Sequence, residues 1–241
     1  MIFYNVDGVT IPFDRTWRSI AISVSGGADS ALLAYLLLQL AKGQDVHIIT
    51  HTRMWKTRPW QSYVSKQVYD WLVSKFPEIN FIRHTNFTAP DVEYGNMGPS
   101  ITDEYGKAVS GDNAQSRAFS EYTCFYNNID AYFNAVSRNP RNVDLNGMKE
   151  RDIDPTDDNQ HLVLQQHMDK WAIHPFRFIE KSWIISQYKR LDILDLLDIT
   201  RSCEGEFDGI DYTTYVPGQY VPVCGKCFWC KEREWAIEQS K

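Results

Sequence analysis

The sequence lacks the features that would place it in a membrane or direct it out of the cell. No uninterrupted apolar run approaches the roughly 20 residues that a membrane-spanning helix needs. The first residues, MIFYNVDGVTIPFDRTW, carry acidic side chains and have neither the basic flank nor the apolar stretch of a secretory signal. We therefore expect a soluble protein with a cytoplasmic location and no membrane partner.

Positive charge is also in short supply. The 25 lysines and arginines are outnumbered by 31 aspartates and glutamates, which gives a formal net charge of -6 at pH 7. Extended nucleic-acid binding draws its affinity from many contacts between basic side chains and phosphates, so this balance argues against it. A small, local anion site remains compatible with the composition.

The chain has no internal repeat and no low-complexity tract, and its 241 residues are enough for one substantial core. Short β-like runs alternate with longer helical runs, a pattern typical of an α/β fold with a doubly wound parallel sheet. The predicted strands are 19–24, 46–50, 80–84 and 142–147. The predicted helices are 29–40, 61–76, 114–136, 180–191 and 227–239. The long segments rich in glycine and proline, predicted to be loops, are 85–113 and 204–223.

The chain leaves its first predicted strand through Ser25–Ser30, which we call the SGGADS turn, and enters a helix at once. Two adjacent glycines let a ligand approach the backbone, and a helix N-terminus offers unpaired amides that attract phosphate. A carboxylate beside a phosphate needs a cation between them, so Asp29 is predicted to bind Mg²⁺. The predicted phosphate-binding residues are Ser25, Gly26, Gly27, Ala28, Asp29 and Ser30.

The turn has two alternative interpretations. The turn lacks the Gly-Lys-Ser/Thr ending of a Walker A loop, which argues against ordinary transfer of a γ-phosphate. A plain Gly-Gly turn followed by an Asp/Ser helix cap is the other alternative, and it would require no ligand. The strand before the turn and the helix after it favour the phosphate site.

Cysteine is scarce, and the five cysteines are unevenly placed. Cys124 stands alone in a helical run and is predicted to be a buried core thiol, with a catalytic thiol as the alternative. The other four, which we call the cysteine centre, are Cys203, Cys224, Cys227 and Cys230. In a reducing compartment this clustering favours metal over disulfides. Four thiolates suit a tetrahedral structural Zn²⁺ ion; an iron–sulfur cluster and the absence of any metal are the alternatives.

The segment 50–58, THTRMWKTR, follows the second predicted strand at the same sheet edge. Its basic side chains are candidates for contacts with phosphate or an anionic substrate, and nearby tryptophans are candidates for stacking on a base. A solvated basic loop is the alternative. The candidates are Arg53, Lys56, Arg58, Trp55 and Trp60.

The SGGADS turn resembles the pyrophosphate-binding SGGxDS loop of the N-type ATP pyrophosphatases, or PP-loop enzymes, and matches it at every fixed position. Two C-terminal segments, TRSCEG from Thr200 and CGKCFWCKER from Cys224, narrow the resemblance to the QueC-like 7-cyano-7-deazaguanine synthase family. LNGMKERDID from Leu145 and HPFRFIEKSWII from His174 agree with that family more loosely.

The resemblance implies how the chain is organised and which residues act. It implies a PP-loop domain over 1–199 and a zinc-binding segment over 200–241 packed on it. Lys181 would bind the nucleotide phosphates, and the cysteine centre would hold Zn²⁺. Together with Arg53 from the basic segment, the residues expected to contact substrate are Gly147, Asp152 and Arg233.

The reaction that the resemblance implies uses ATP and Mg²⁺ to adenylate a carboxylate with release of pyrophosphate. Ammonia then displaces AMP, so that 7-carboxy-7-deazaguanine becomes an amide and, in a second round, a nitrile. The expected partners are this small-molecule substrate and ammonia, and we also consider a homodimer.

The chain departs from the family where a substrate would be chosen. The family has a much shorter spacer between its first two cysteines than the 20 residues that separate Cys203 from Cys224 here. The family's Tyr-Pro-Asp-Cys-like segment is replaced by DPTDDNQ, and the helix predicted over 114–136 also differs. The alternatives are therefore a related enzyme acting on a modified deazapurine, a protein terminus or a tRNA base in a thiolation, or a module that senses adenine nucleotide without turnover.

Overall fold

The computed structural model describes residues 1–52, 58, 60–87, 101–102, 108–109, 111–141, 143–145, 163–167, 170–204, 220 and 222–241. The strands are β1 (Ile2–Val6), β2 (Val9–Phe13), β3 (Ser19–Ser23), β4 (Asp45–Thr52), β5 (Asn80–Phe87), β6 (Ile101–Thr102), β7 (Ala108–Val109), β8 (Ala131–Phe133), β9 (Val163–His167) and β10 (Lys170–His174). The helices are α1 (Ala28–Leu40), α2 (Gln61–Lys75), α3 (Gly111–Tyr126), α4 (Lys181–Arg190), α5 (Leu194–Ile199) and α6 (Phe228–Gln239). Within these ranges no helix combines the length and the apolar character that crossing a membrane requires.

One six-stranded sheet organises the molecule. Its strands lie in the order β5-β4-β3-β8-β10-β9, and five are parallel, whereas β9 pairs antiparallel with β10. The chain winds outward from β3 through β4 to β5, and then returns to the other side of β3 through β8 and β10. This confirms the doubly wound α/β fold predicted from the sequence.

Side chains alternate along each strand, so the sheet has apolar side chains on both faces, and helices cover both. Ile20 and Ile22 of β3 lie in the large core cluster that contains most of α1, whereas Ala21 lies in a second cluster with Cys124 of α3. Helix α1 is buried on nearly all sides because it packs against α2, α4 and α5 as well as β3. Its sequence, ADSALLAYLLLQL, is accordingly apolar around most of its circumference.

Two element predictions in the middle of the chain are wrong. The helix predicted over 114–136 ends as α3 at Tyr126, and the chain turns through Asn128, at φ 51°, into β8. Asparagine tolerates this left-handed conformation, which ends helices. The strand predicted over 142–147 is also absent from its described part, because 143–145 has no regular structure and β8 supplies the strand beside β3.

The sequence predictions also missed some elements. The predicted loop 85–113 starts inside β5, ends inside α3 and contains β6 and β7. A hairpin of β1 and β2 precedes the sheet, and it buries Val9, Ile11 and Phe13 in the large core cluster. Ala236 of α6 belongs to the same cluster, so the C-terminal helix packs on the main body. The division of the chain at 199 and 200 stays a prediction.

Candidate active site

A cavity of about 450 Å³ lies at the carboxyl ends of three neighbouring strands. Ser23 ends β3, His51 lies near the end of β4, and Asn134 directly follows β8; all three residues line the cavity. The chain leaves β3 toward one side of the sheet and approaches β8 on the other. The cavity therefore occupies the switch point where open α/β sheets bind ligands.

The SGGADS turn forms one wall of this cavity, and hydrogen bonds within the turn fix its shape. The Ser25 amide donates to Ser30 Oγ at 3.2 Å, and Ser30 Oγ donates to the Gly27 carbonyl at 3.0 Å. Gly27 is the N-cap of α1, and because it has no side chain it cannot cap the first amides of the helix. Amides in the first turn of a helix have no intrahelical acceptor, and the helix dipole there favours an anion.

Gly26 connects the turn to two other segments. Its φ of 82° is strained for any residue with a side chain, and an added Cβ would lie 2.9 Å from the Ser65 amide nitrogen and 3.0 Å from Val64 Cγ1. Its carbonyl accepts a hydrogen bond from the Arg201 amide at 2.9 Å. Gly26 therefore allows the turn to contact both α2 and the segment that carries Cys203.

Asp29 and Lys181 form a charged pair at the cavity wall. Lys181 Nζ lies 3.0 Å from Asp29 Oδ1 and 3.2 Å from Oδ2, and Ser137 Oγ donates to Oδ2 at 2.6 Å. Lys181 is only 4% exposed, so it is not a solvent-exposed lysine on a helix surface. The structure thus brings together two residues that lie far apart in the sequence and that the sequence predicted for one site.

The structure describes part of the basic segment and of the predicted substrate set. Arg58 and Trp60 line the cavity; Arg58 forms an ion pair with Glu204, and the Arg201 guanidinium lies 5.0 Å from the Trp60 ring. The alternative of a solvated loop therefore fails for Arg58 and Trp60. The predicted residues that lie outside the described ones are Arg53, Trp55, Lys56, Gly147 and Asp152.

Arg233 has a different position from the one expected of a substrate contact. Its guanidinium donates to Thr200 Oγ1 and to the Leu197 carbonyl, both at 2.8 Å, and burial lowers its pKa. It is not among the described residues that line the cavity. These contacts attach α6 to the end of α5, and Arg233 interacts electrostatically with Asp29 and Cys230. A direct contact between Arg233 and substrate stays a prediction.

Sequence reasoning missed several residues of the cavity. Ser137 was missed because the segment before it was predicted as helix, although polar residues after a parallel strand are a signal for this edge of a sheet. Arg201 belongs to TRSCEG, in which only the cysteine has a role that its residue type predicts. The cavity-lining residues not singled out from the sequence include Gln61, Ser116, Asn134, Ser137, Arg201, Ser202, Glu204 and Trp229.

The cysteine centre assembles from the segment after α5 and the start of α6. One ligand atom from each cysteine lies within 4.8 Å of all the others, an arrangement that could bind a metal. The Sγ atoms of Cys227 and Cys230 are 3.5 Å apart, and those of Cys224 and Cys230 are 4.0 Å apart. Four sulfurs bound to Zn²⁺ at their usual distance would be separated by about 3.8 Å.

Two thiols of this centre, Cys227 and Cys230, have raised pKa values. Burial raises the pKa of Cys230 to about 11, and a hydrogen bond with the Cys203 side chain, together with burial, raises the pKa of Cys227. A bound cation would reverse this preference, because metals bind the thiolate form and release the protons.

The cysteine centre borders the cavity directly. The Cys203 carbonyl accepts a hydrogen bond from Trp60 Nε1 at 2.9 Å, and its neighbours Ser202 and Glu204 line the cavity. Cys124 lies instead in the core cluster with Ala21, where burial raises its pKa to about 12. The prediction of a buried core thiol at that position is confirmed.

Comparison with known proteins adds little to this description. No family model matches the chain, and no curated protein matches it either. Among solved structures the chain is similar to the U34-tRNA thiolase NcsA from Methanococcus maripaludis with its 4Fe-4S cluster, at 12% identity and a TM-score of 0.38. The match covers 91% of this chain and only 63% of that one. This likeness is too weak to bear on function.

Proposed function

We propose that the protein is an ATP pyrophosphatase that adenylates a carboxylate and lets ammonia displace AMP. The observation that carries the proposal is the SGGADS turn at the switch-point cavity, with Asp29 and Lys181 in contact beside it. A helix N-terminus, two glycines and a buried lysine together suit a polyphosphate. The absence of a Walker A lysine in the turn favours attack at the α-phosphorus over γ-phosphate transfer.

In this proposal the amides at the start of α1 bind the pyrophosphate part of ATP and stabilise the charge that develops as it leaves. Lys181 contributes an ammonium group at the same wall of the cavity. Asp29 fits a divalent cation, because its carboxylate lines the cavity next to an anion-binding helix end. Mg²⁺ held there would neutralise phosphate charge, and it would compete with Lys181 for the carboxylate.

The chemistry explains why ATP is needed. A carboxylate resists attack by ammonia because oxide is a poor leaving group. In the proposed first step a carboxylate oxygen attacks the α-phosphorus, and the bond from that phosphorus to pyrophosphate breaks. Ammonia then attacks the carbonyl carbon, and AMP leaves with the former carboxylate oxygen. A second adenylation, of the amide oxygen, followed by loss of AMP and both amide protons gives a nitrile.

We assign 7-carboxy-7-deazaguanine as the substrate, because the cysteines and the segments around them are similar to those of QueC-like enzymes. The short Sγ–Sγ distances support a single ion, and Zn²⁺ fits them, since a four-iron cluster would hold its thiolates farther apart. We propose that the ion has a structural role, in which the segment 200–241 supports a PP-loop domain over 1–199.

A second candidate is the same ATP chemistry on another acceptor. The 20 residues between Cys203 and Cys224 and the segment DPTDDNQ favour it, because both differ from the family near the expected substrate. The adenylate would then form on a different carboxylate or carbonyl oxygen, while the turn, Asp29 and Lys181 would keep their roles.

One experiment distinguishes these functions. Purified protein is incubated with ATP, Mg²⁺, ammonium and 7-carboxy-7-deazaguanine, and pyrophosphate, AMP and the mass of the nucleobase are measured. A nitrile product supports the first function, and AMP release only with another acceptor supports the second. Binding of ATP without turnover under every condition contradicts both and favours a nucleotide-sensing module.

A further inference from the structure

We propose that Glu232 is a positioning residue for Lys181 and that it holds the ammonium group when Asp29 turns to a cation. This inference rests on the proposed function, because it assigns a role within the same ATP site. Glu232 lies on α6, and its Oε2 is 3.5 Å from Lys181 Nζ. Glu232 lies within CGKCFWCKER, but the family pattern CGKCxxCxxR leaves its position unspecified.

The contact between Glu232 and Lys181 is energetically important because both side chains are buried. Glu232 is 0% exposed and Lys181 is 4% exposed, so neither charge is well hydrated. A buried charge is costly unless a partner of opposite sign accompanies it. Lys181 therefore has to keep at least one carboxylate whenever it is charged, and Asp29 and Glu232 are both in reach.

Sharing one ammonium between two carboxylates makes an exchange of partners feasible. The ammonium has three donors; it donates a hydrogen bond to Asp29 Oδ2 at 3.2 Å and lies 3.0 Å from Oδ1. If Asp29 were its only partner, release of that carboxylate to Mg²⁺ would leave Lys181 unpaired. With Glu232 beside it, Lys181 stays paired and oriented toward the cavity while its remaining donors turn to the phosphates.

The same contact links the ATP site to the cysteine centre. Glu232 follows Cys230 by two residues on α6, which begins directly after Cys227. The position of the Glu232 carboxylate therefore depends on how the cysteine centre fixes the start of this helix. The segment that carries Cys203 contacts the turn as well, through the hydrogen bond from the Arg201 amide to the Gly26 carbonyl.

The test uses Glu232→Gln with a matched control, Glu234→Gln, on the same helix. Glu234 is exposed and pairs only on the surface with Lys231 among its described contacts. We expect Glu232→Gln to raise the KM for ATP in pyrophosphate release by about tenfold, with metal content unchanged. Glu234→Gln is expected to leave KM and kcat at the wild-type values.

A double-mutant cycle with Lys181→Met separates positioning from a general structural effect. ATP dissociation constants are measured for Glu232→Gln, Lys181→Met and the double variant, which removes both buried charges together. We expect Glu232→Gln to weaken ATP binding in the wild-type background and to have no further effect when Lys181 is absent. An equal loss in both backgrounds, or no loss in either, would overturn the proposal.

The test remains decisive if Glu232→Gln does not fold or if the wild-type protein has no turnover. If Glu232→Gln does not fold, Glu232→Asp keeps the charge but withdraws the carboxylate, and an unchanged KM for ATP contradicts the proposal. If the wild-type protein releases no pyrophosphate with any acceptor, the proposed function fails. The binding cycle still tests Glu232 in that case, because it needs ATP but no turnover.

Discussion

At the scale of single residues, the site depends on backbone shape as much as on charge. Gly26 combines a left-handed φ with close contact to α2, and Asp29 accepts hydrogen bonds from Ser137 and Lys181. Each of these features joins the turn to a segment distant in the sequence. Single substitutions should therefore separate the shape of the turn from its charge.

The first prediction concerns the shape of the turn. Gly26→Ala should lower the free energy of unfolding by about 3 kcal/mol or more, because it adds both left-handed strain and overlap with the Ser65 amide. Gly43→Ala is the matched control, since Gly43 has φ 88° but nothing within 4 Å of an added Cβ. It should cost only about 1 kcal/mol. Equal losses in urea denaturation would contradict the close contact.

The second prediction concerns the charge at the cavity. Asp29→Asn should slow pyrophosphate release by about 100-fold or more, because the proposed cation would lose its carboxylate ligand. The fold should persist, since Lys181 keeps Glu232 as a partner. Asp70→Asn, at an exposed surface pair with Lys66, serves as the control and should retain full activity. Full activity of Asp29→Asn would contradict the assigned role.

At the scale of elements, the described structure shows which contacts local sequence patterns can predict. The alternating apolar run of β3, the glycines after it and the apolar α1 lie together in the sequence, so that strand, turn and helix were predicted nearly to the residue. The spacing of the cysteines likewise predicted their cluster. Apart from Cys203, the residues of these features lie within short stretches of the sequence.

Contacts between distant segments could not be predicted in the same way. Strand β8 has three residues and follows a helix without a glycine or proline between them, so its sequence continued the helical pattern. With β8 missed, Ser137 could not be assigned to the cavity. Glu232 has no motif of its own, and only the packing of α6 brings it to Lys181.

A third prediction belongs to the cysteine centre as an element. Cys227→Ser should lower the bound metal well below one ion per chain and weaken ATP binding, because the centre fixes both Cys203 beside the cavity and the start of α6. Elemental analysis and ATP titration measure the two effects. Cys124→Ala removes a thiol from the second core cluster, which contains Ala21, and should leave metal content unchanged. Full metal content in Cys227→Ser would contradict metal binding by the cysteine centre.

A fourth prediction concerns the pairing of β4 and β5. His47 Nδ1 lies 2.9 Å from His84 Nε2 with the rings stacked, and burial lowers the pKa of both from 6.5. The folded protein then binds these protons less tightly than the unfolded chain does. The free energy of unfolding should therefore fall as the pH drops below about 6.5.

Urea denaturation across this pH range tests the histidine pair. His84→Gln should flatten the pH dependence of the unfolding free energy, because one of the two shifted groups is gone and the neighbouring charge on protonated His84 can no longer form. An unchanged slope in the variant would show that other groups control acid sensitivity.

At the scale of the whole molecule, the fold brings four parts of the chain that are distant in sequence to one cavity. The SGGADS turn follows β3, Ser137 follows β8, Lys181 begins α4, and the segment around Cys203 follows α5. The switch point of the sheet explains why the first two meet. The cysteine centre and α6 bring the C-terminal segment against the same wall, which gives the proposed metal a supporting role in nucleotide binding.

The fifth prediction concerns the formation of an adenylate on a carboxylate. The protein is supplied with ATP, Mg²⁺, ammonium and 7-carboxy-7-deazaguanine labelled with ¹⁸O in its carboxylate, and the products are analysed by mass spectrometry. We expect pyrophosphate and AMP that carries one ¹⁸O, because the carboxylate oxygen becomes bonded to the α-phosphorus. Formation of ADP and phosphate, or of AMP without label alongside an aminated product, would contradict it.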